Sequence, residues 1–190
     1  YDEFQNPEGL GLLDWFAEYE KEARVSTAGI RGPQNILYPT DTRFPINAIG
    51  IIIATLAKAL VAKEKYPNKE LHKLAACEVR YNSQLYLDLI SRDQAALGIT
   101  THVPSHRDTI PIWMASFLVF KLDLLGGEYI TSSHGISVKN ATKDLNNHGS
   151  KYLPEESLAL IETITEIFPM VAETGTYEIK LAAKERYKIY

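Results

Sequence analysis

Gly127-Glu128-Tyr129-Ile130-Thr131, running directly into Ser132-Ser133-His134-Gly135, is the stretch on which the fold turns: β-forming residues empty into a Ser/His/Gly loop. A loop leaving the C-terminal end of a strand in an α/β sheet is the usual place for a ligand. Ser133 brings a hydroxyl there, His134 an imidazole beside it, and Lys143 an amine ten residues on. A serine hydroxyl is a weak nucleophile alone, so chemistry on it needs a base, a strong electrophile, or positive charge around the transferred group. Lys139, Lys143 and Lys151 put such charge nearby in sequence. A serine that carries phosphate fits this pattern, and a plain turn is the competing reading.

Outward from that stretch the chain alternates between helix and strand patterns. A long apolar helix is expected from Ile46 to Tyr66, closed by Pro67-Asn68, then a strand from Lys73 to Val79. Asn82 is a candidate N-cap for a helix to Leu97 that Gly98 stops. A second strand follows from Ile99 to Val103, then a polar loop from Pro104 to Thr109 and a helix from Ile110 to Leu125. Pro154-Glu155-Glu156 opens another helix, with proline and acids in its first turn, ending near Phe168-Pro169. Such alternation predicts an α/β fold, a three-layer α/β/α sandwich with a mainly parallel sheet. Ahead of it, Gly9 to Arg24 repeats Leu, Trp, Phe and Tyr at helical spacing, an N-terminal amphipathic helix whose aromatic stripe reads as core. The expected division is therefore a helical extension over 1–25, the α/β/α domain over 26–168, and a linker with the start of a further element over 169–190. Within the last part, Tyr177 to Leu181 alternates like an edge strand, and Leu181 to Tyr190 reads as a helix cut short, as if the chain continued.

With 190 residues, 45% of them hydrophobic, the chain is long enough to bury a real core. A net charge of −4 gives no general basic field, which argues against a nucleic-acid partner. The longest apolar stretch, Ile46 to Ala62, is broken by Asn47, Gly50 and Lys58 and is short for a bilayer, so no membrane partner is expected. The chain opens at Tyr1 without a signal-like segment, and its single cysteine, Cys77, allows no internal disulfide. Cys77 reads as a buried strand residue and the location as cytoplasmic. His102 and His106 flank Pro104-Ser105 at a spacing that could reach a metal, but no carboxylates complete a shell, so they read as loop or interface residues. His72 and His148 lie among polar residues and read as solvated. No Gly-x-Gly-x-x-Gly and no Gly-x-Ser-x-Gly is present, which leaves dinucleotide binding and an acyl-transfer serine without their central features.

Four segments, in order, resemble the first domain of the α-D-phosphohexomutases, the phosphoglucomutase and phosphomannomutase family. Ser26-Thr27-Ala28-Gly29-Ile30-Arg31-Gly32-Pro33 is similar to the opening Gly-Thr-Ala-Gly-Ile/Leu-Arg-Gly loop, whose arginine approaches the phosphate, and Arg31 is the matching position. Glu78-Val79-Arg80-Tyr81-Asn82-Ser83 resembles an Asp-x-Arg-x-x-Ser segment, with Arg80 and Ser83 as substrate or structural support and Glu78 in place of Asp. Thr131-Ser132-Ser133-His134 resembles the phosphoserine loop Thr-Ala-Ser-His-Asn-Pro, with Gly135 and Ile136 departing from it. Asn140-Ala141-Thr142-Lys143 resembles the following Asn-Gly-x-Lys, with Ala141 replacing glycine.

The resemblance implies an isomerase in which Ser133 carries the phosphate, with His134, Arg31 and Lys143 as its catalytic neighbours. It implies Mg2+ held partly through the phosphate on Ser133, glucose 1,6-bisphosphate or an equivalent as phosphorylating activator, and a hexose phosphate substrate. The chain has no Asp-x-Asp-x-Asp-Arg string, the family's metal loop, so the other ligands and the sugar-reading loops would come from further domains of the same enzyme. The 190 residues alone are expected to be inactive. A catalytically silent paralogue of the same fold, or an interaction module docking through the N-terminal helix and the Tyr-rich tail, is the alternative.

Overall fold

The computed structural model describes residues 24–26, 29–34, 46–135, 137, 139–174 and 188–189. Seven strands form one sheet: β1 (Arg24–Ser26), β2 (Gly29–Pro33), β3 (His72–Cys77), β4 (Thr100–Val103), β5 (Gly127–Ile130), β6 (Lys139–Leu145) and β7 (Lys188–Ile189). Among the described residues four α-helices accompany it: α1 (Ala48–Lys65), α2 (Ser83–Ala96), α3 (Ile112–Lys121) and α4 (Pro154–Thr174). The strand order is β1-β2-β6-β5-β3-β4-β7. β5, β3, β4 and β7 run parallel to one another, and from the other edge of β5 the sheet continues through β6, β2 and β1, each antiparallel to the strand before it.

The parallel part is the part that helix-strand alternation foresees, since each crossover spans a helix. β3, β4 and β5 lie within a residue or two of their expected bounds. The antiparallel part comes from segments read as loops. Gly29–Pro33 looks unlike a strand because its glycines and proline break the pattern, yet Gly29 sits at φ 96 where a Cβ would overlap the Thr142 carbonyl oxygen of β6. Lys139–Leu145 was hidden for a different reason: its buried residues Asn140, Thr142, Lys143 and Asp144 are polar. Two further corrections concern the C-terminal half. The helix expected to stop near Phe168 continues through Pro169 to Thr174, and Lys188–Ile189, expected as helix, pairs parallel with His102 and Val103 as β7. A proline inside a helix loses one backbone bond without forbidding the helical φ. Arg24 and Val25, expected in the N-terminal helical extension, belong instead to β1, while the rest of that extension, residues 175–187 and with them the strand pattern over Tyr177 to Leu181 lie outside the described residues.

α1, α2 and α4 cover one face of the sheet, meeting Ala75, Cys77, Val103 and Ile130 through Ile51, Ala57, Leu87, Ile90 and Leu160. α3 covers the other, packing Ala115 and Val119 on Leu74, Ala76, Tyr129 and Leu145. That is the three-layer arrangement the sequence predicts. α1 starts where Asn47 caps it, its Oδ1 accepting from Gly50 N at 2.8 Å. Asn82 precedes α2 as expected, but in the left-handed region (φ 60) and without a side-chain cap bond, so its use is to turn the chain. Gly98 at φ 78 ends that helix turn. Cys77 is buried in β3, and burial, reinforced by the Glu78 charge, pushes its thiol up to about 11.

Buried charge ties α1 to the antiparallel strands. Lys58 Nζ lies 2.9 Å from Glu128 Oε2, Asp144 Oδ1 and Thr142 Oγ1, and Gln94 Nε2 donates to Glu128 Oε1 at 2.9 Å. Burial alone would lower the Lys58 amine, but the carboxylates of Asp144 and Glu128 outweigh it and hold it raised. Lys73, 3.9 Å from Glu128, has fewer partners, and burial wins there, lowering its amine. This cluster explains why a strand with Asn, Thr and Asp on one face can lie in the core.

Candidate functional site

β3 and β5 end side by side, Glu78 N donating to Ile130 O at 3.1 Å, so the residues just past both strands share one end of the sheet. Beyond β5 the chain stays in register for one residue, Thr131 N donating to Ala141 O at 2.9 Å, and then turns out as the loop carrying Ser133. β6 brings Lys143 back beside it, directly opposite Tyr129. A cleft of about 480 Å3 opens here, with Glu78, Thr131, Ser133 and Lys143 on its polar side and Ile110, Pro111 and Trp113 on its apolar side.

Lys143 Nζ makes a short hydrogen bond to Ser133 Oγ. An ammonium has three donors and no acceptor, so the serine oxygen accepts, and its own proton remains free to point elsewhere. Lys143 is 6% exposed while Ser133 is exposed, so a mostly desolvated cation stands against an accessible hydroxyl. In that position it stabilises negative charge on the oxygen or on a phosphate attached to it.

The loop is held by Glu78 and Arg80. Arg80 Nε donates to Glu78 Oε1 at 2.7 Å, and its terminal nitrogens donate to the carbonyl oxygens of Lys139 (3.1 Å), Ser133 (3.0 Å) and Gly135 (2.8 Å). Thr131 donates to Glu78 Oε1 at 2.5 Å and accepts from Ser133 N at 2.8 Å. Ser133 itself sits at φ 55, a conformation uncommon for a residue with a side chain. Ser83, at the start of α2, is buried and its hydroxyl accepts from Asn140 Nδ2 at 3.3 Å, which links β6 to the segment after β3.

The structure thus brings together Ser133, Lys143 and Arg80, with Ser83 one step behind. His134 is exposed and it is Lys143, not His134, that meets the Ser133 hydroxyl. Arg31 lies on β2 opposite Ala141, two residues along β6 from Lys143. Thr131 and the loop-holding work of Glu78 were not foreseen, although a hydroxyl two residues before the serine and an acid two residues before Arg80 were visible in the sequence. His102 pairs with His72, Nε2 to Nδ1 at 3.0 Å, rather than with His106, so His72 is not simply solvated; His148 is exposed.

The described residues do not by themselves suit a divalent cation. Glu78 is the carboxylate lining the cleft and is already engaged by Arg80 and Thr131, and among the described residues no group of three His, Cys, Asp or Glu converges. No helix among the described residues is long and apolar enough to cross a membrane.

No family model matches the sequence, and no curated protein matches it. Solved structures do. A protein described as a phosphomannomutase from Thermus thermophilus superposes with a TM-score of 0.67 at 18% identity, over 88% of this chain and 33% of its own. Pp63/parafusin, a phosphoglucomutase from Paramecium, gives 0.60 at 14% identity over 76% and 25%. A phosphoglucomutase/phosphomannomutase family protein from Burkholderia thailandensis gives 0.57 at 14% over 87% and 32%. The chain therefore has the fold found in phosphohexomutase structures, and it spans a quarter to a third of their length.

Proposed function

We propose that this chain is the phosphoserine-bearing domain of a phosphohexomutase and that Ser133 carries the phosphate. The observation that supports it most is the desolvated Lys143 amine on the Ser133 hydroxyl, at the strand ends of a fold found in phosphoglucomutase and phosphomannomutase structures. In this reading Ser133 Oγ gives up its phosphoryl group to a hydroxyl of a hexose monophosphate and takes one back from the resulting bisphosphate, interconverting the 1- and 6-phosphates of glucose or mannose. Lys143 offsets charge on the serine side of the transfer, and Arg31 and His134 are the further groups assigned to the phosphate. Mg2+ and a hexose bisphosphate activator belong to the same proposal. The described residues would hold the cation only through the phosphate on Ser133, with its remaining ligands and the sugar contacts supplied by the rest of a longer, cytoplasmic enzyme.

A silent paralogue of the same fold is the second reading, favoured by Gly135 and Ile136 where the resembled motif has Asn and Pro, and by Glu78 where it has Asp. Turnover separates the two. The protein purified from its own cells should convert glucose 1-phosphate or mannose 1-phosphate to the 6-phosphate with Mg2+ and the bisphosphate present, and Ser133→Ala should abolish it. Undiminished conversion by Ser133→Ala, or no conversion of either sugar by the unaltered protein, rejects the proposal.

A further inference from the structure

We propose that Glu78 and Thr131 are positioning residues that aim Ser133 through a hydrogen-bond relay of fixed direction, with Arg80 as the clamp on the loop rather than a ligand for phosphate. This rests on the reading of Ser133 as the reacting hydroxyl. The direction follows from the inventory of donors. An ionised Glu78 carboxylate can only accept, and its Oε1 meets both Arg80 Nε and the Thr131 hydroxyl, so Thr131 must spend its one proton on Glu78. Its oxygen is then left as a pure acceptor, and the group presented to it is Ser133 N–H at 2.8 Å. The backbone of Ser133 is thereby pinned at φ 55, the turn that places its Oγ on Lys143 Nζ.

Arg80 completes the arrangement from the outside. Its guanidinium reaches the carbonyls of Ser133, Gly135 and Lys139, three points that bracket the whole excursion from β5 to β6. With Nε on Glu78 as well, four of its five N–H donors are held by protein acceptors, and Arg80 is not among the residues lining the cleft. Positive charge for a phosphate must then come from Lys143 and from residues other than Arg80. The length of Glu78 also finds a use: its carboxylate joins Arg80, two residues on, to Thr131 on the neighbouring strand end, a span that an aspartate is one methylene shorter to make.

Amide hydrogen exchange by NMR on the 190-residue chain tests the relay without calling on any phosphoryl transfer. Thr131→Val keeps the shape of the side chain and removes the hydroxyl, so exchange at the Ser133 amide should accelerate at least tenfold. Thr131→Ser should restore protection to within about threefold of the unaltered chain, which a purely packing role would not do. Glu78→Ala, at a partly exposed position, should accelerate the same amide and serves if Thr131→Val does not fold. An unchanged Ser133 rate in Thr131→Val or in a folded Glu78→Ala overturns the relay, as does a Thr131→Ser rate equal to that of Thr131→Val. Phosphate on Ser133 is read separately by mass. A chain that never carries phosphate refutes the proposed function while the exchange rates still decide the relay.

Discussion

Asp93 is the residue whose perturbation has the most calculable effect. It lies on α2, 7% exposed, with Oδ2 buried and lacking a hydrogen-bond partner among the described residues. Burial, then the charge of Glu128, pushes its carboxyl up from 3.8 to about 7. The position near the helix C-terminus acts in the same sense, since a negative charge there opposes the helix dipole. The folded state therefore holds this proton between about pH 4 and pH 7, where the unfolded chain has released it. Stability falls as pH rises through that window, by up to about 1.4 kcal/mol per pH unit from this group, and the loss is complete above about pH 7. Across the whole window the loss amounts to about 4 kcal/mol. Asp93→Asn removes the titration but leaves a buried amide to satisfy, at a cost of about 1 to 2 kcal/mol. The variant should thus be no more stable than the original chain at about pH 4.5 and more stable by about 2 to 3 kcal/mol at about pH 8. Urea denaturation at half-unit pH steps measures this, and the difference between the two chains removes every other titrating group from the comparison. Parallel stability curves would refute the reasoning, because they would mean that Asp93 ionises alike in both states.

Three further outcomes follow from other buried groups. Lys58→Met removes the close ion-pair partner of buried Glu128 and Asp144, leaving Glu128 only the more distant Lys73, and should cost about 3 to 5 kcal/mol by urea denaturation; a loss below about 1 kcal/mol would show that the cluster is not desolvated in solution. Gly135→Ala drives a Cβ into Ser132 Oγ, which is itself buried, so it should disturb the loop amide signals, and Ser132→Ala in the same chain should recover most of them; additive effects of the two changes would contradict the contact. Cys77 should resist a thiol reagent at about pH 8 in the folded chain and react fully once denatured; rapid labelling of the native chain would put it at the surface.

The parallel half of the sheet and the helices on it were legible because apolar periodicity and punctuation agree there: Pro67-Asn68, Asn82 and Gly98 mark real boundaries. The antiparallel half was not, because β2 is glycine-rich and β6 holds its polar residues in place with partners more than fifty positions away, such as Lys58 on Thr142 and Ser83 on Asn140. Periodicity carries no information about such pairings. At the site, Ser133 and Lys143 were visible as a hydroxyl and an amine in one short stretch, and the structure joins them. The relay through Glu78 and Thr131 was not, since it crosses from one strand end to the next and depends on which atom donates. His134 shows the converse case, a neighbour in sequence that is not the neighbour of the hydroxyl.

The most direct test of the central claim is phosphopeptide mapping with intact mass on the protein taken from its own cells. The account predicts one phosphoryl group, located on Ser133 and missing from Ser133→Ala. An active, full-length protein whose Ser133 peptide is wholly unmodified would contradict it.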